Sequence, residues 1–334
     1  MLVSVIIPVF NRAAMLVEAV QSALAQSYRP IEIIIVDDAS TDDTPATIAA
    51  LMARHPEVRS VRRENGGPGA ARESGRQIAR GELLQYLDSD DLLLPRKLEL
   101  QARALAENPA CGIAYGRTRY RDDAGREIAC TWKPLLRGET SIFPHFLRAR
   151  MWETVTPLYR ASVCAAAGPW SALRLEEDWE YDCRIGALGV SLAFVPEVVA
   201  EHRDHPEGRL SRGDAVDPVR LRQRAAAHTA ILGHARRAGV GSDAPEMQRF
   251  ARELFLLARQ CGAAGLAEES ASLFALARDA SGAGGNRAQF RLYRAVARTV
   301  GWSLAGKLSL IADRARAAFA RPSSARTSER GRGT

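Results

Sequence analysis

Four short apolar runs in the first ninety residues, each separated from the next by a stretch of helical character, constrain this chain more than any other feature. Val3-Ser4-Val5-Ile6-Ile7-Pro8-Val9 and Ile31-Glu32-Ile33-Ile34-Ile35-Val36 are β-branched and almost wholly apolar, as strands covered on both faces must be. Residues 13–26 between them carry Leu16, Val20 and Leu24 four apart, the spacing of one helix face. Thr41 or Asp42 can cap a helix running through Ile48 and Leu51 to Arg54. Residues 58–61 read as a weaker strand, 69–80 as a third helix, and Leu83-Leu84-Gln85-Tyr86-Leu87 as a fourth strand. Repeated strand–helix–strand units at this spacing predict an α/β fold, a mostly parallel sheet sandwiched by helices. Ligands of such sheets bind beyond the carboxyl ends of the strands. Pro8 to Asn11, Asp37-Asp38 and Asp88-Ser89-Asp90-Asp91 are therefore predicted to converge on one crevice.

The pattern then loosens. A helix over 98–107, strands near 113–120 and 191–199, and a helix over 176–188 that carries Asp178 are expected. After Asp214 the chain is rich in Ala and Arg with helical periodicity, and 247–261 with 266–280 read as a helical hairpin about Gly262-Ala263-Ala264-Gly265. The expected organisation is an α/β domain over 1–212, an all-helical accessory region over 213–320, and a disordered polar tail over 321–334. The formal charge of +7 is uneven: from Asp214 onward there are 20 Lys+Arg against 10 Asp+Glu, and before it 26 against 29. Basicity belongs to the C-terminal part, so no nucleic-acid partner is expected for the main domain. No apolar run is long enough to span a bilayer, and no basic leader precedes the first apolar stretch. Five cysteines without Cys-x-x-Cys spacing argue against disulfides or structural zinc and point to the cytoplasm.

The loop after the first strand, Pro8-Val9-Phe10-Asn11-Arg12, lacks the glycines of a dinucleotide-binding turn, and Gly66-Gly67-Pro68-Gly69 lacks the Lys-Ser/Thr of a P-loop. What remains is acidic. Several carboxylates at one sheet edge repel one another and call for a cation. Oxygen ligands favour Mg²⁺ or Mn²⁺, ions that commonly bridge to substrate phosphates. Asp37, Asp42 and Asp91 serve equally well as helix caps; Asp88 and Asp90, as D-x-D directly after a buried strand, do not.

These blocks, from Val3 to Arg12, Ile35-Val36-Asp37-Asp38-Ala39-Ser40-Thr41-Asp42 and Gly81 to Asp91, resemble the signature blocks of family 2 glycosyltransferases, as does Glu177-Asp178-Trp179 with Arg184 and Gly189. The resemblance covers roughly residues 1–212. It implies a GT-A fold that binds a nucleotide-diphosphate sugar and Mn²⁺ or Mg²⁺ and transfers the sugar with inversion. By that resemblance Pro8, Phe10 and Asn11 belong to the nucleotide site, Asp38 holds the base, Asp88 contacts ribose or sugar, and Asp90 reaches the metal. Asp178 is the implied catalytic base. Arg203 and His205, in Glu201-His202-Arg203-Asp204-His205, match a late Arg-x-His element facing the diphosphate or the metal. Relatives usually carry Ala-Arg-Asn-x-Gly where this chain has Ala71-Arg72-Glu73-Ser74-Gly75; Arg72 stays a donor-site candidate, while Glu73 departs from the pattern.

In-line displacement at C1 requires a carboxylate to accept the attacking hydroxyl's proton, and a metal and cationic side chains to stabilise the leaving diphosphate. Glu177 is the alternative to Asp178 as base. Trp170 and Trp179 are acceptor-side possibilities, and His202 reads as a locally paired histidine. A metal-dependent nucleotidyltransferase acting on sugar phosphates is the alternative enzyme, although the glycine-rich loop such enzymes carry after strand one is missing. Arg287, Arg291, Arg294 and Arg298 fall on one helical stripe, with Leu292, Val296 and Val300 opposite and Trp302, Leu304, Leu308 and Leu310 beyond. That pattern suits peripheral contact of 287–320 with an anionic membrane surface. The expected partners are a nucleotide-sugar donor, UDP first, and a glycan or lipid-linked acceptor of the cell surface.

Overall fold

The computed structural model describes residues 1–130, 133, 138–205, 214, 216–284 and 287–319. The expected disordered tail over 321–334 lies outside them. β1 (Val3–Val9), α1 (Ala13–Leu24), β2 (Ile31–Asp37), α2 (Thr44–Arg54), β3 (Val58–Arg62), α3 (Pro68–Ile78) and β4 (Leu83–Tyr86) follow the order read from periodicity. β2 and β4 flank β1 and β3 lies outside β2, all parallel. Every residue of β1 and β2 is buried, which is why both runs are apolar. Glu32, charged in mid-strand, is held by Ser4 Oγ, the Arg80 N–H and the guanidinium groups of Arg59 and Arg80.

Beyond β4 the sheet is mixed, a departure from the mostly parallel expectation. β5 (Leu92–Leu93), β6 (Cys111–Asp122), β7 (Glu127–Ile128), β8 (Leu158–Arg160) and β9 (Ser191–Asp204) complete it in the order β3-β2-β1-β4-β8-β6-β9-β5, with β7 on β6. β8 runs antiparallel to both β4 and β6. After β4 only β6 and β9 are parallel neighbours among the described strands, and short strands such as β8 leave little periodicity to read. β9 extends to Asp204 because its polar end pairs through main chain with residues 118–122 of β6. Glu201-His202-Arg203-Asp204 carries no apolar signal, so a strand there was not foreseen. α4 (Lys97–Glu107), α5 (Ala161–Ala167) and α6 (Glu177–Gly186) cover this part.

The chain divides into two compact units, one of Met1–Gly213 with Ala226–Phe250, the other of Asp214–Ala225 with Ala251–Thr334. α7 (Pro218–Arg237) and α8 (Pro245–Ala263) each contribute to both. In the first unit α7 supports α6: His228 Nδ1 lies 3.0 Å from Glu176 Oε2, and His234 Nε2 lies 2.7 Å from Glu180 Oε1. The second unit contains the hairpin partner α9 (Ala267–Ala280) and α10 (Arg287–Phe319). α10 bends at Gly301, whose φ of 81° is one that side-chain-bearing residues avoid. Its buried seam is Tyr293, Ala297 and Ala305, not the Leu292–Val296–Val300 side; Leu292 is 68% exposed. Tyr293 turns inward because Phe255 and Phe274 meet its ring at 5.2 and 5.7 Å. Among the described residues no helix is long and apolar enough to cross a membrane.

α3 lies so close to the sheet that a Cβ on Gly75 would stand 2.4 Å from Ile6 Cγ2 and 3.1 Å from Val36 Cγ2. Alanine gains about 1 kcal/mol of helix propensity over glycine, but overpacking a core costs about 1–3 kcal/mol. Gly75→Ala is therefore expected to lower the urea midpoint; a raised midpoint would show that α3 has room to lift.

Candidate active site

β1, β2 and β4 end at the same edge, and the loops that follow are tied together by their own polar groups. The Asn11 N–H donates to Ser40 Oγ at 2.9 Å, and Asn11 Oδ1 accepts the Thr41 N–H at 2.7 Å. Asn11 and Ala39 both hold positive φ, 50° and 68°, conformations that persist where surroundings enforce them. Pro8 is buried within β1, whereas Phe10 is 46% exposed. Asp38 is buried and accepts the Gly66 and Gly67 N–H groups, the latter at 2.8 Å, with Arg63 paired to Oδ1. Asp37 pairs with Arg62 at 2.8 Å. The N-cap of α2 is Asp43, one residue beyond the expected Thr41 or Asp42; Asp42 accepts the Thr44 N–H at 2.9 Å from just before it.

After β4 the acidic residues diverge. Asp88, 29% exposed at its side chain, pairs with Arg72 at 2.6 Å. Asp90 is paired with Arg12 and lies 3.0 Å from His205 Nε2, while Arg203 Nε donates to its carbonyl. Burial works against charge on Asp90, but the His205 hydrogen bond and the Arg12 guanidinium outweigh it and hold the carboxyl well below the usual range. Asp91 caps no helix: it is 1% exposed and bonds His202 Nδ1 at 3.0 Å and the Arg203 N–H at 3.2 Å. Burial pushes its carboxyl up to about 6 against the pull of His202. Asp90 and His205 thus come together with Arg203 behind them. His205 is buried, and its Nδ1 has no hydrogen-bond partner among the described residues.

Arg72 joins this edge to α6. Its guanidinium is 3% exposed, bonds Asp88 with Nη2 and Glu177 with Nη1 at 2.8 Å, and lies 4.8 Å over the Trp170 ring. Glu176 enters α6 at φ 59°. Asp178 keeps 28% of its side chain exposed; Oδ2 accepts from Arg150 at 2.6 Å and from Thr154 at 3.3 Å, and Oδ1 from the Trp179 N–H. Arg150 also bonds Asp182, which receives Trp152 Nε1 and the Tyr159 hydroxyl. Partial burial opposes charge on Asp178, yet Arg150, then Arg72 and Lys133, hold it below the ordinary carboxylate range. Sequence reasoning missed Arg150, for no motif marks an arginine whose partners lie 28 and 32 residues away. Glu73 is committed elsewhere, bound by Arg76 and the Trp170 N–H. Trp170 is buried and stacked on Tyr181 at 4.0 Å, a core residue and not a sugar platform. Trp179 donates to the Phe146 carbonyl and packs on His228.

Burial, then the Asp178 charge, push the Glu177 carboxyl from 4.5 up to about 7 although Arg72 is beside it. A raised carboxyl stabilises the fold in its protonated form, fully below pH 4.5, and that contribution is lost as pH rises through 7. Glu177→Gln is expected to flatten the fall in stability across this window in a urea series; an unchanged slope would assign the proton elsewhere.

Comparison with known proteins bears on the family and the fold. Residues 4–165 match the family model for glycosyl transferase family 2. The chain is similar to Escherichia coli chondroitin synthase, 32% identical over 183 residues that make up 53% of this chain and 26% of that one. It is also similar to glycosyltransferase GlyG of Streptococcus pneumoniae, 38% identical over 125 residues, 37% of this chain and 42% of the other. The chain therefore spans less than half the length of these curated relatives. Among solved structures, S. aureus TarS 1–349 in complex with UDP-GlcNAc aligns at TM-score 0.60 and 18% identity, over 84% of this chain and 88% of that one. Mannosyltransferase PcManGT of Pyrobaculum calidifontis, in complex with GDP-Man and Mn²⁺, aligns at 0.51 and 21%, over 93% and 87%. Those likenesses speak for the GT-A fold, and the sequence matches identify residues 4–165 as a glycosyl transferase family 2 domain.

Proposed function

We propose that the chain moves a sugar, with inversion, from a nucleoside-diphosphate donor, UDP first, to a hydroxyl of a cell-surface glycan or lipid-linked acceptor. The observation that carries this is Arg72, one buried guanidinium gripping Asp88 of the D-x-D loop and Glu177 of the Glu-Asp helix. In this reading donor loop and base helix share one site. Phe10, Asn11, Pro8 and Asp38 border the nucleoside end, and Asp88 with Arg72 the ribose and sugar. UDP-GlcNAc and GDP-Man in the structural neighbours support a donor of this class, and the likeness to chondroitin synthase supports a glycan product.

The acceptor hydroxyl attacks C1 opposite the leaving diphosphate and gives its proton to Asp178, which is ionised, accessible and oriented by Arg150 and Thr154. Arg203 and His205 face the leaving group. No cluster of three or more His, Cys, Asp and Glu ready to hold a metal occurs among the described residues. Asp90 and His205 nonetheless fit Mn²⁺ or Mg²⁺, which take few protein ligands and complete their shell with substrate phosphates; the orphaned Nδ1 of His205 leaves that ring a nitrogen to spare. When bound, the ion supplies Lewis-acid stabilisation of the diphosphate charge. No glycine-rich loop favours the nucleotidyltransferase alternative.

Purified chain, a panel of nucleotide sugars and Mn²⁺, with the product anomer read by NMR, test this. Asp178→Asn is expected to lower kcat about 10²–10⁴-fold with UDP affinity retained, and Asp90→Asn to abolish the Mn²⁺ dependence of UDP binding in calorimetry. Full turnover by Asp178→Asn would remove the base assignment.

α10 leaves Leu304, Leu308 and Ile311 exposed at 45%, 46% and 61%, in a chain whose C-terminal part is strongly basic. We infer peripheral contact of 287–320 with the anionic cytoplasmic face of the membrane. The exposed triple substitution Leu304→Ser, Leu308→Ser, Ile311→Ser is expected to reduce co-sedimentation with phosphatidylglycerol vesicles severalfold; equal sedimentation would dismiss this contact.

A further inference from the structure

The second unit holds a cavity of about 450 Å³ lined by Phe274, Phe290, Ser281, Gly282, Arg278, Arg291 and Arg294. Its size falls within the range of small-molecule sites. The apolar wall belongs to a ring cluster: Phe290 lies 5.6 Å from Phe274 and 4.9 Å from Phe255, and Trp302 lies 5.3 Å from Phe274. The polar side is three arginines on two helices. None of the three has a hydrogen bond, ion pair or ring contact among the described residues, and no acidic residue lines the cavity. This sets them apart from the arginines of the first site, each of which is spoken for.

Three like charges round one opening repel, and no counter-charge among the described residues offsets that cost. A guanidinium presents a planar fork of donors that matches phosphate oxygens, while the phenyl rings accept only an apolar body. We propose that this cavity is a binding site for a phosphate monoester or diphosphate carrying an apolar chain. The inference stands on these residues alone and does not depend on the reaction proposed above. A membrane lipid phosphate and a soluble phosphorylated apolar metabolite share this chemistry.

The test uses the full chain, with tryptophan fluorescence and calorimetry as readouts and decyl phosphate below its micelle concentration as probe. Decyl phosphate is expected to bind at least tenfold more tightly than either inorganic phosphate or decanol. Arg291→Gln with Arg294→Gln, both exposed and without a hydrogen bond or ion pair among the described residues, is expected to weaken binding at least tenfold with circular dichroism unchanged, and Phe290→Ala to weaken it while sparing the response to inorganic phosphate. Tighter binding to phosphatidic-acid vesicles than to decyl phosphate, lost in the double variant, would place the ligand in the membrane; the reverse order would make it soluble. Equal affinity for decanol, equal affinity for inorganic phosphate, or undiminished binding by the double variant would each overturn the proposal.

Discussion

Charge neutralisation at the carboxyl edge of the sheet is the constraint on which the rest depends. Parallel strands deliver Asp37, Asp38, Asp88 and Asp90 to one rim, and α6 adds Asp178. Each meets an arginine: Arg62, Arg63, Arg72, Arg12 and Arg150 in turn. Exposed ion pairs contribute little to stability. Where a partner is buried, as Arg72 and Arg150 are, removing one member leaves an uncompensated charge at a cost of about 3–5 kcal/mol. The pairs therefore fix the loops in one arrangement more than they add net stability. Asp38 shows how: with Arg63 on one oxygen, its carboxylate gathers the N–H groups of the Gly66-Gly67 turn that leads into α3.

The same economy shapes α6. Its first turn carries Glu177, Asp178 and Glu180, which suits the positive end of a helix dipole, and each takes a different counter-group. Glu177 faces Arg72, Asp178 faces Arg150, and Glu180 faces Arg184 and His234. The environments push adjacent carboxyls apart, Glu177 up and Asp178 down. Two carboxyls side by side thus favour different protonation states.

The parallel half of the fold was legible because burial on both faces writes itself as unbroken apolar sequence in β1 and β2. The D-x-D and Glu-Asp blocks were legible as short-range patterns. Arg62, Arg63 and Arg150 were not, because an ion-pair partner far along the chain leaves no local trace. The polar end of β9 was hidden for a related reason: its pairing with β6 is a main-chain matter. Which residues of α10 turn inward was not legible, since Tyr293 and Leu292 are neighbours of similar apolar character, and only the rings of Phe255 and Phe274 decide.

Arg12 adds a consequence of its own. Its guanidinium already occupies Asp90, the carboxylate nearest His205, so the socket is plugged by a cation built into the chain. On the donor site proposed above, an ion held by Asp90 would displace that plug, and the displaced arginine would then lie beside the donor's phosphate. Ion and phosphate would therefore help each other dock.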